Sequence, residues 1–213
     1  MELPDQIKTP LDEYEPNFMG KNSSVITAVT IPIISSDENN PYQDWQVIYE
    51  ERSHELVNQP GEICFPGGRK ESEDDCPRKT AIRETSEELS IPESSIKMIT
   101  PLDVMIMPWP LVVYPYVSVL EMDAPLETDS EEVEELFTVS IDALLNSEPE
   151  EYKLRLRPEP EDDFPFERIP KGRNYDWSEG YLPELFFEFH GRTVWGITAR
   201  ITNLFRNILK TTS

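Results

Sequence analysis

Three glutamates and an arginine lie close together in residues 83–89, which read RETSEEL. On a helix with about 100° between residues, Glu84, Glu87 and Glu88 fall in one narrow sector beside Arg83. Three carboxylates this close repel one another unless a cation lies among them. Hard divalent ions such as Mg²⁺ take oxygen ligands of this kind. The spacing therefore predicts a metal-binding face on this helix.

The segment before this helix predicts a place where a phosphate can approach the backbone. An apolar strand at 62–65 leads to Gly67 and Gly68, which predict a tight turn, and an acidic loop follows. Glycines allow the backbone to come close to a phosphate. The alternative for the glutamates alone is a solvated acidic helix, since the net charge is −23. The glycines favour the metal site over that alternative.

Residues 68–90, with R-E-x-x-E-E at 83–88, resemble the Nudix box, the metal-binding loop and helix of the Nudix hydrolases. The usual box is G-x5-E-x7-R-E-U-x-E-E-x-G-U, in which U is apolar. Here the gap before Arg83 is one residue longer than in that pattern. Asp74 stands where the first glutamate is expected, Thr85 takes the place of an apolar residue and Ser90 replaces the last glycine.

Two further motifs resemble the coenzyme A pyrophosphatase branch of that family. Its upstream pattern, roughly R-S-x-x-L-x-x-(H/Q)-x-G-E-x-x-F-P-G-G, is matched by residues 52–68, which read RSHELVNQPGEICFPGG. Its W-G-x-T-A element is matched by residues 195–199. The resemblance covers about residues 24–209. It implies an α/β (α+β) fold, a Nudix-type α/β/α sandwich with a mixed β-sheet.

The resemblance implies a role for each residue of the box. Glu84 and Glu88 are expected to bind the metal, Mg²⁺ or Mn²⁺, and Glu87 is expected to be a third ligand or the base for the attacking water. Arg83 is expected to hold the carboxylates in place by pairing with Glu87 one helical turn away. Gly68 is expected to offer its carbonyl to the metal or to let the loop close on the helix. Glu84, Glu87 and Arg83 are thus the predicted catalytic residues.

Arg52, Arg69 and Gly67 are the predicted substrate-binding residues, because guanidinium groups beside a glycine turn suit phosphate oxygens. For each arginine, a plain surface charge is the alternative. Glu71 and Asp74 lie in the loop, where one of them either caps the helix or binds metal through water. The further candidates are a base, Glu132, and aromatic side chains for stacking on adenine, Trp109, Tyr114, Tyr116, Trp177 and Phe187.

The reaction implied by the resemblance is hydrolysis of the diphosphate bond of coenzyme A or a derivative, giving adenosine 3′,5′-bisphosphate and 4′-phosphopantetheine. The expected partner is therefore a small nucleotide, coenzyme A or acyl-coenzyme A, and a homodimer is left open. One alternative is a Nudix hydrolase of another nucleotide, such as ADP-ribose or a nucleoside triphosphate, against which the upstream pattern weighs. The other is a non-catalytic nucleotide-binding module, against which the intact R-E-x-x-E-E run weighs.

Composition narrows the class of protein. A length of 213 residues suits one domain, and a net charge of −23 argues against nucleic acid or an anionic membrane as partners. The two cysteines, Cys64 and Cys76, make neither a disulfide framework nor a zinc site.

The sequence has no long apolar run and no basic, apolar leader, so neither a transmembrane helix nor a secretory signal is expected. The cytoplasm is the expected compartment.

The hydrophobic pattern predicts a single domain over residues 23–213. Strands are predicted at 24–34, 45–52, 62–65, 96–102, 112–120, 132–139 and 185–189, and helices at 74–90, 141–145 and 194–209. Pro115 predicts an edge or a bulge for its strand. Residues 1–22 predict an extended, flexible arm and 35–44 a turn-rich loop. Residues 149–183 predict an irregular insertion, rich in proline and acids, that forms part of a substrate pocket.

Overall fold

The computed structural model describes residues 5–14, 18–35, 45–121 and 127–211. The turn-rich loop predicted at 35–44 lies outside them apart from its first residue. The helices are α1 (Asp5–Asp12), α2 (Pro77–Glu88), α3 (Ile141–Asn146) and α4 (Gly196–Lys210). The strands are β1 (Val25–Ser35), β2 (Trp45–Arg52), β3 (Ile63–Cys64), β4 (Gly67–Arg69), β5 (Ile96–Pro101), β6 (Met105–Ile106), β7 (Leu111–Leu120), β8 (Val133–Ser140), β9 (Glu150–Leu156), β10 (Gly180–Phe189) and β11 (Arg192–Trp195).

Eight of the described strands form one mixed sheet, whose main path runs β3-β2-β1-β7-β5. Strand β1 pairs in parallel with β7 and antiparallel with β2. The short strands β4 and β6 pair with β1 and β7, and β8 pairs with β2. The longest strands of this sheet are β1, which is rich in valine, isoleucine and threonine, and β7, which is rich in valine and tyrosine. These residue types favour a buried pleated surface.

Helices pack on both faces of this sheet, which confirms the predicted α/β/α sandwich. The end of α2 covers one face, where Leu89 joins a small core with Ile48, Ile96 and Leu120. Helices α3 and α4 cover the other face, where the main core includes Tyr49, Val117, Leu144, Ile201 and Phe205. The two cores lie on opposite sides of the sheet, so the sheet is buried on both faces as its apolar strands require.

A buried hydrogen bond joins α2 to the sheet at the position where the Nudix box expects an apolar residue. The Thr85 and Thr30 hydroxyl oxygens lie 2.6 Å apart, and the Thr85 hydroxyl donates to the Ala81 carbonyl at 2.6 Å. Both hydroxyls are therefore satisfied although both residues are fully buried. Thr85 can replace an apolar residue here because its hydroxyl has partners.

The region predicted to be irregular contains strands at both ends. Strand β10 pairs antiparallel with β9 and with β11, and these three form a second sheet among the described residues. The prediction for 149–183 is thus wrong for β9 and for the first residues of β10. Strand β9 exposes almost all of its side chains, and its apolar and charged residues alternate only over 152–156. This signal is short and lies in a segment rich in proline and acids, which favoured the irregular loop. Two short 3-10 turns, Phe166–Arg168 and Gly172–Asn174, lie in the loop between β9 and β10.

Pro115 lies in a strand that is paired on both sides, so the edge, one of the two settings predicted for it, is wrong. For the other setting, a bulge, the β5–β7 pairing has a register shift between Met98 and Thr100 of β5. Strand β7 is flanked by β1 and by β5 and β6. The Pro115 carbonyl accepts a hydrogen bond from Leu102 N at 2.9 Å, just after β5 ends and before β6 begins. The missing N–H of Pro115 therefore faces the break between β5 and β6, where a ladder hydrogen bond is not required.

Two local predictions near the N-terminus and the glycines also differ from the structure. Residues 5–12 are the helix α1 within the segment predicted to be extended, although the flexibility of that arm stays a prediction. The predicted glycine turn is instead β4, in which Gly67 and Gly68 pair with Val29 and Ala28 of β1. Among the described residues, none of the helices combines the length and apolar character needed to span a bilayer.

Gly67 lies where a side chain would disturb the central sheet. A Cβ atom there would lie 2.3 Å from Ala28 O and 2.6 Å from Val29 Cα, both in the backbone of β1. We expect Gly67→Ala to lower the free energy of unfolding by about 1–3 kcal/mol in urea denaturation. Gly180→Ala is the matched control, because its Cβ would meet nothing nearer than Leu156 Cβ at 4.0 Å. An equal loss in the two variants would contradict the close approach at Gly67.

Candidate active site

Asp74 does not cap α2, which was one of the two roles predicted for it. The helix has Cys76 at its N-cap, with no side-chain hydrogen bond, and Pro77 in its first turn. The Asp74 side chain is only 2 % exposed and accepts a hydrogen bond from Glu71 N at 3.1 Å. Asp74 thus closes the acidic loop on itself before the helix starts.

Arg83 joins this loop to the carboxylates of α2. Its guanidinium donates to Glu84 Oε1 at 2.8 Å, Glu87 Oε2 at 3.0 Å and Asp74 Oδ2 at 3.2 Å. It also donates to the Arg69 carbonyl at 3.3 Å. The hydrogen bond to Arg83 lowers the pKa of Asp74 to about 2, and the same bond raises the pKa of Arg83. The predicted Arg83–Glu87 pair is present, and Asp74 is an additional partner.

Gly67 and Gly68 lie directly against the carboxylates of α2. Gly67 N donates to Glu88 Oε2 at 2.7 Å. A Cβ atom on Gly68 would lie 2.3 Å from the Glu84 carboxylate, so the absence of a side chain lets the loop close on the helix. Of the two roles predicted for Gly68, this contact supports loop closure. The Gly67 N–H is engaged by Glu88, so it does not face a phosphate as the predicted turn implied.

Glu50 is a residue of this site that the sequence reasoning missed. It is 1 % exposed, its Oε1 accepts from Cys64 Sγ at 3.0 Å, and its Oε2 has no hydrogen-bond partner among the described residues. The pKa of Glu50 is raised to about 7, mainly by burial, with smaller contributions from the charges of Glu132 and Glu84. The available signal was an acidic residue on the same face of β2 as the buried Ile48.

The pKa values of two box glutamates are raised as well. Burial is the main cause for Glu88, and the charge of Glu50 is the next. Burial is also the main cause for the half-buried Glu84. The charge of Glu132 adds to the increase for all three, which places this predicted base near them. Glu87 is not buried with these three glutamates, because its side chain is 60 % exposed. We refer to Glu50, Glu84 and Glu88 as the carboxylate cluster.

The chemistry of the carboxylate cluster fits a hard divalent cation. The described residues contain no group of three or more His, Cys, Asp or Glu side chains whose positions already suit one metal ion. In this arrangement Arg83 engages Glu84, and Gly67 N engages Glu88. The buried, unpartnered Oε2 of Glu50 and the raised pKa values are nevertheless features that a bound cation relieves.

A cavity of about 430 Å³ lies next to the carboxylate cluster, and we call it the cleft. Cys64, Gly67 and Gly68 line it on one side, and these residues contact the three clustered glutamates. The other side comes from the second sheet and α4, including Trp195 and Gly196. The cleft therefore brings the box together with the W-G-x-T-A element from the far end of the chain.

The two arginines predicted to bind phosphate occupy different places. Arg52 lines the cleft, and its Nε is buried without a hydrogen-bond partner in the described part of the chain. The Arg69 side chain is exposed and is not part of the cleft lining, and its backbone carbonyl accepts from Arg83. The geometry favours an anion contact for Arg52 and the surface-charge alternative for Arg69.

The aromatic residues considered for stacking are also divided by the structure. Trp109 lines the cleft, whereas Phe187 is buried in the main core. Trp177 packs against Phe164 and Tyr175, with ring centroids 5.7 and 4.9 Å away, in the loop between β9 and β10. Among the aromatic candidates in the described residues, Trp109 is thus the one that lines the cleft.

This α/β fold, with an acidic loop and helix beside a cleft, defines the class of protein. Residues 28–158 match the sequence pattern of the family described as the NUDIX domain. The chain therefore belongs to the Nudix family, whose members are pyrophosphohydrolases and typically depend on a divalent metal.

Similar proteins include the peroxisomal coenzyme A diphosphatase NUDT7 of Mus musculus, 30% identical over 47% of this chain and 42% of that protein. The uncharacterized Nudix hydrolase NudL of Yersinia enterocolitica is 28% identical over 62% of this chain and 64% of that protein. The chain spans about half the length of the curated relatives it matches. A MutT/nudix family protein from Enterococcus faecalis is similar in fold, with a TM-score of 0.51, 12% identity and coverage of 99% of this chain and 70% of that chain.

The Asp74–Arg83 pair makes stability depend on pH in the acid range. The pKa of Asp74 falls from 3.8 to about 2 on folding, so its contribution is present above pH 3.8 and is lost as the pH falls through 2. We expect Asp74→Asn to destabilise the protein by about 2 kcal/mol at pH 6, with a smaller difference at pH 2.5. Urea denaturation at both pH values measures it. Asp75→Asn, at an exposed neighbour, is the control, and a pH-independent difference for Asp74→Asn would contradict the pairing.

Glu50 gives the opposite dependence on pH. Its pKa rises from 4.5 to about 7 on folding, so the wild type loses stability as the pH rises from 4.5 through 7. We expect Glu50→Gln to raise the free energy of unfolding at pH 8 in the presence of EDTA and to have little effect at pH 4.5. We also expect Mg²⁺ to stabilise the wild type more than the variant. The exposed Glu55→Gln is the control, and a variant less stable than the wild type at pH 8 would contradict the repulsion.

Proposed function

We propose that this protein hydrolyses the diphosphate bond of coenzyme A or its derivatives, giving adenosine 3′,5′-bisphosphate and 4′-phosphopantetheine. We propose Mg²⁺ or Mn²⁺ as the cofactor. The main support is that Arg52, Gly67-Gly68 and Trp195-Gly196, from the motifs that resemble the coenzyme A branch, line one cleft beside the box glutamates. The similarity to a mouse protein named as a coenzyme A diphosphatase agrees with this choice.

The cleft offers the parts that diphosphate hydrolysis requires. The carboxylate cluster would hold the cation, which when bound neutralises charge on the diphosphate and favours attack by water. The guanidinium of Arg52 lies in the cleft wall and would bind a phosphate oxygen. Arg83 would position Glu84 through their hydrogen bond of 2.8 Å. These contacts supply orientation and charge, which are the main contributions of a protein to phosphoryl transfer.

Two residues are candidates for the base that takes the proton from the attacking water. Glu87 is exposed and is engaged by Arg83, whereas Glu132 is exposed and acts electrostatically on all three clustered glutamates. Of the two, Glu132 would be the base, since its carboxylate has no ion-pair partner within 4.0 Å in the described residues. Glu132→Gln should then reduce kcat more than Glu87→Gln does, and the reverse order would assign the base to Glu87.

The proposed activity is tested by offering the protein coenzyme A, ADP-ribose and a nucleoside triphosphate, each with Mg²⁺, with Mn²⁺ and with EDTA. We expect metal-dependent cleavage with the highest kcat/KM for coenzyme A. We expect Glu84→Gln and Glu88→Gln each to lower kcat by roughly 100-fold or more, because removal of a charged ligand weakens the cation site. Product analysis by chromatography distinguishes cleavage of the diphosphate from loss of the 3′-phosphate.

Glu93→Gln is the matched control for this test, because Glu93 is an exposed glutamate just beyond α2 that pairs with Lys79 at 2.8 Å. We expect it to retain the wild-type rate. Full activity in Glu84→Gln and Glu88→Gln would show that the carboxylate cluster does not hold the metal. A higher kcat/KM for ADP-ribose or for the triphosphate would reassign the substrate, and no metal-dependent cleavage at all would favour a nucleotide-binding module.

A further inference from the structure

A buried carboxylate outside the carboxylate cluster lines the cleft, on the wall formed by the second sheet. Glu184 lies in β10 and is 8 % exposed. Its Oε2 is buried and has no hydrogen-bond partner among the described residues. Burying a polar atom without a partner is unfavourable by several times the thermal energy, so most such atoms in proteins are paired. The structure gives this carboxylate no role in the fold.

The surrounding residues do not compensate Glu184. Arg200 also lines the cleft, but no basic nitrogen of the described residues lies within 4.0 Å of the Glu184 carboxylate. The guanidinium of Arg200 donates instead to the Met107 sulfur at 3.5 Å. Apolar and aromatic residues, among them Leu154 and Trp109, also line the cleft. The cleft therefore has an unpaired acceptor at Glu184 and apolar surface that suits a flat group.

The charge of Glu184 decides which part of a substrate can occupy this side of the cleft. A phosphate beside an unpaired carboxylate would be repelled, whereas Arg52 on the other side suits an anion. The two sides therefore fit a molecule that is anionic at one end and carries a neutral hydrogen-bond donor at the other. Buried acceptors of this kind discriminate strongly against ligands that lack the donor.

We propose that Glu184 is a specificity-determining residue that accepts a hydrogen bond from an N–H group on the neutral part of the substrate. This inference rests on the proposed function and names the feature of the substrate that the cleft selects. Coenzyme A carries such N–H donors in two places, the exocyclic amine of adenine and the amides of phosphopantetheine. Each source belongs to a different product of the proposed reaction, so the two can be separated experimentally.

The test compares wild type with Glu184→Gln, which keeps the shape of the side chain and removes its charge. We expect KM for coenzyme A to rise roughly tenfold while kcat stays within about twofold, because the lost contact is a charge-assisted hydrogen bond remote from the cleaved bond. Inhibition by adenosine 3′,5′-bisphosphate and by 4′-phosphopantetheine is then measured separately. The fragment that carries the donor should inhibit the variant roughly tenfold less strongly, and the other fragment should inhibit both proteins alike.

Glu188→Gln is the matched control, since Glu188 lies on the same strand, is exposed and accepts from Thr193 at 2.6 Å. We expect it to leave KM and both inhibition constants unchanged. Unchanged constants in Glu184→Gln, or equal weakening of both fragments, would overturn the inference while leaving the proposed function intact. If the wild type cleaves no substrate, the proposed function fails, and calorimetric binding of the two fragments to wild type and Glu184→Gln still decides the role of Glu184.

Discussion

Repulsion among buried carboxylates is the constraint around which the rest of this structure is arranged. Glu50 and Glu88 are almost fully buried, and burial is the main cause that raises their pKa values. The charge of Glu84 adds to the increase for both, and the charge of Glu50 adds to the increase for Glu88. Such a cluster persists because close neighbours fix each side chain in place. Gly67 N holds Glu88, and Arg83 holds Glu84. The fold accepts a loss of stability at these positions, as is common where a site must bind a cation.

The large negative charge of the chain and the anionic substrate class are reconciled locally. The net charge is −23, yet the guanidinium groups of Arg52 and Arg200 line the cleft without a carboxylate partner within 4.0 Å among the described residues. Most of the acidic residues lie on the surface, where dissolved salt at physiological ionic strength screens their charges beyond about 8–10 Å. A phosphate on the Arg52 side of the cleft therefore interacts mainly with that guanidinium and with the cation that the cluster would hold. The local arrangement of charge, not the total, determines what this protein can bind.

The sequence allowed the box helix and the long strands to be predicted because each has a clear pattern. Helices α2 and α4 follow the period of 3.6 residues, and strands β1 and β7 are continuous runs rich in β-branched residues. The same reasoning missed β9, an exposed edge strand whose apolar and charged residues alternate only over 152–156, within a segment whose prolines and acids predicted an irregular loop. It also missed Glu50 and Glu184, because the burial of a single acidic residue depends on which strands come together. Gly67 and Gly68 were identified as special positions, but the reason is close packing in β4 and not a turn.

The cleft has a consequence for the order in which this protein acquires its structure during synthesis. One wall comes from β1, β3 and β4, early in the chain, and the other from β10, β11 and α4, near its end. A ribosome-bound chain that has emerged only as far as β8 could already pair β1 with β7 and pack α2, yet it would lack the second wall. Contacts of such high contact order form late in folding. The residues of the carboxylate cluster come from β2 and α2 alone, so they are all synthesised long before the second wall. Substrate selection is completed only when α4 closes the other face of the sheet.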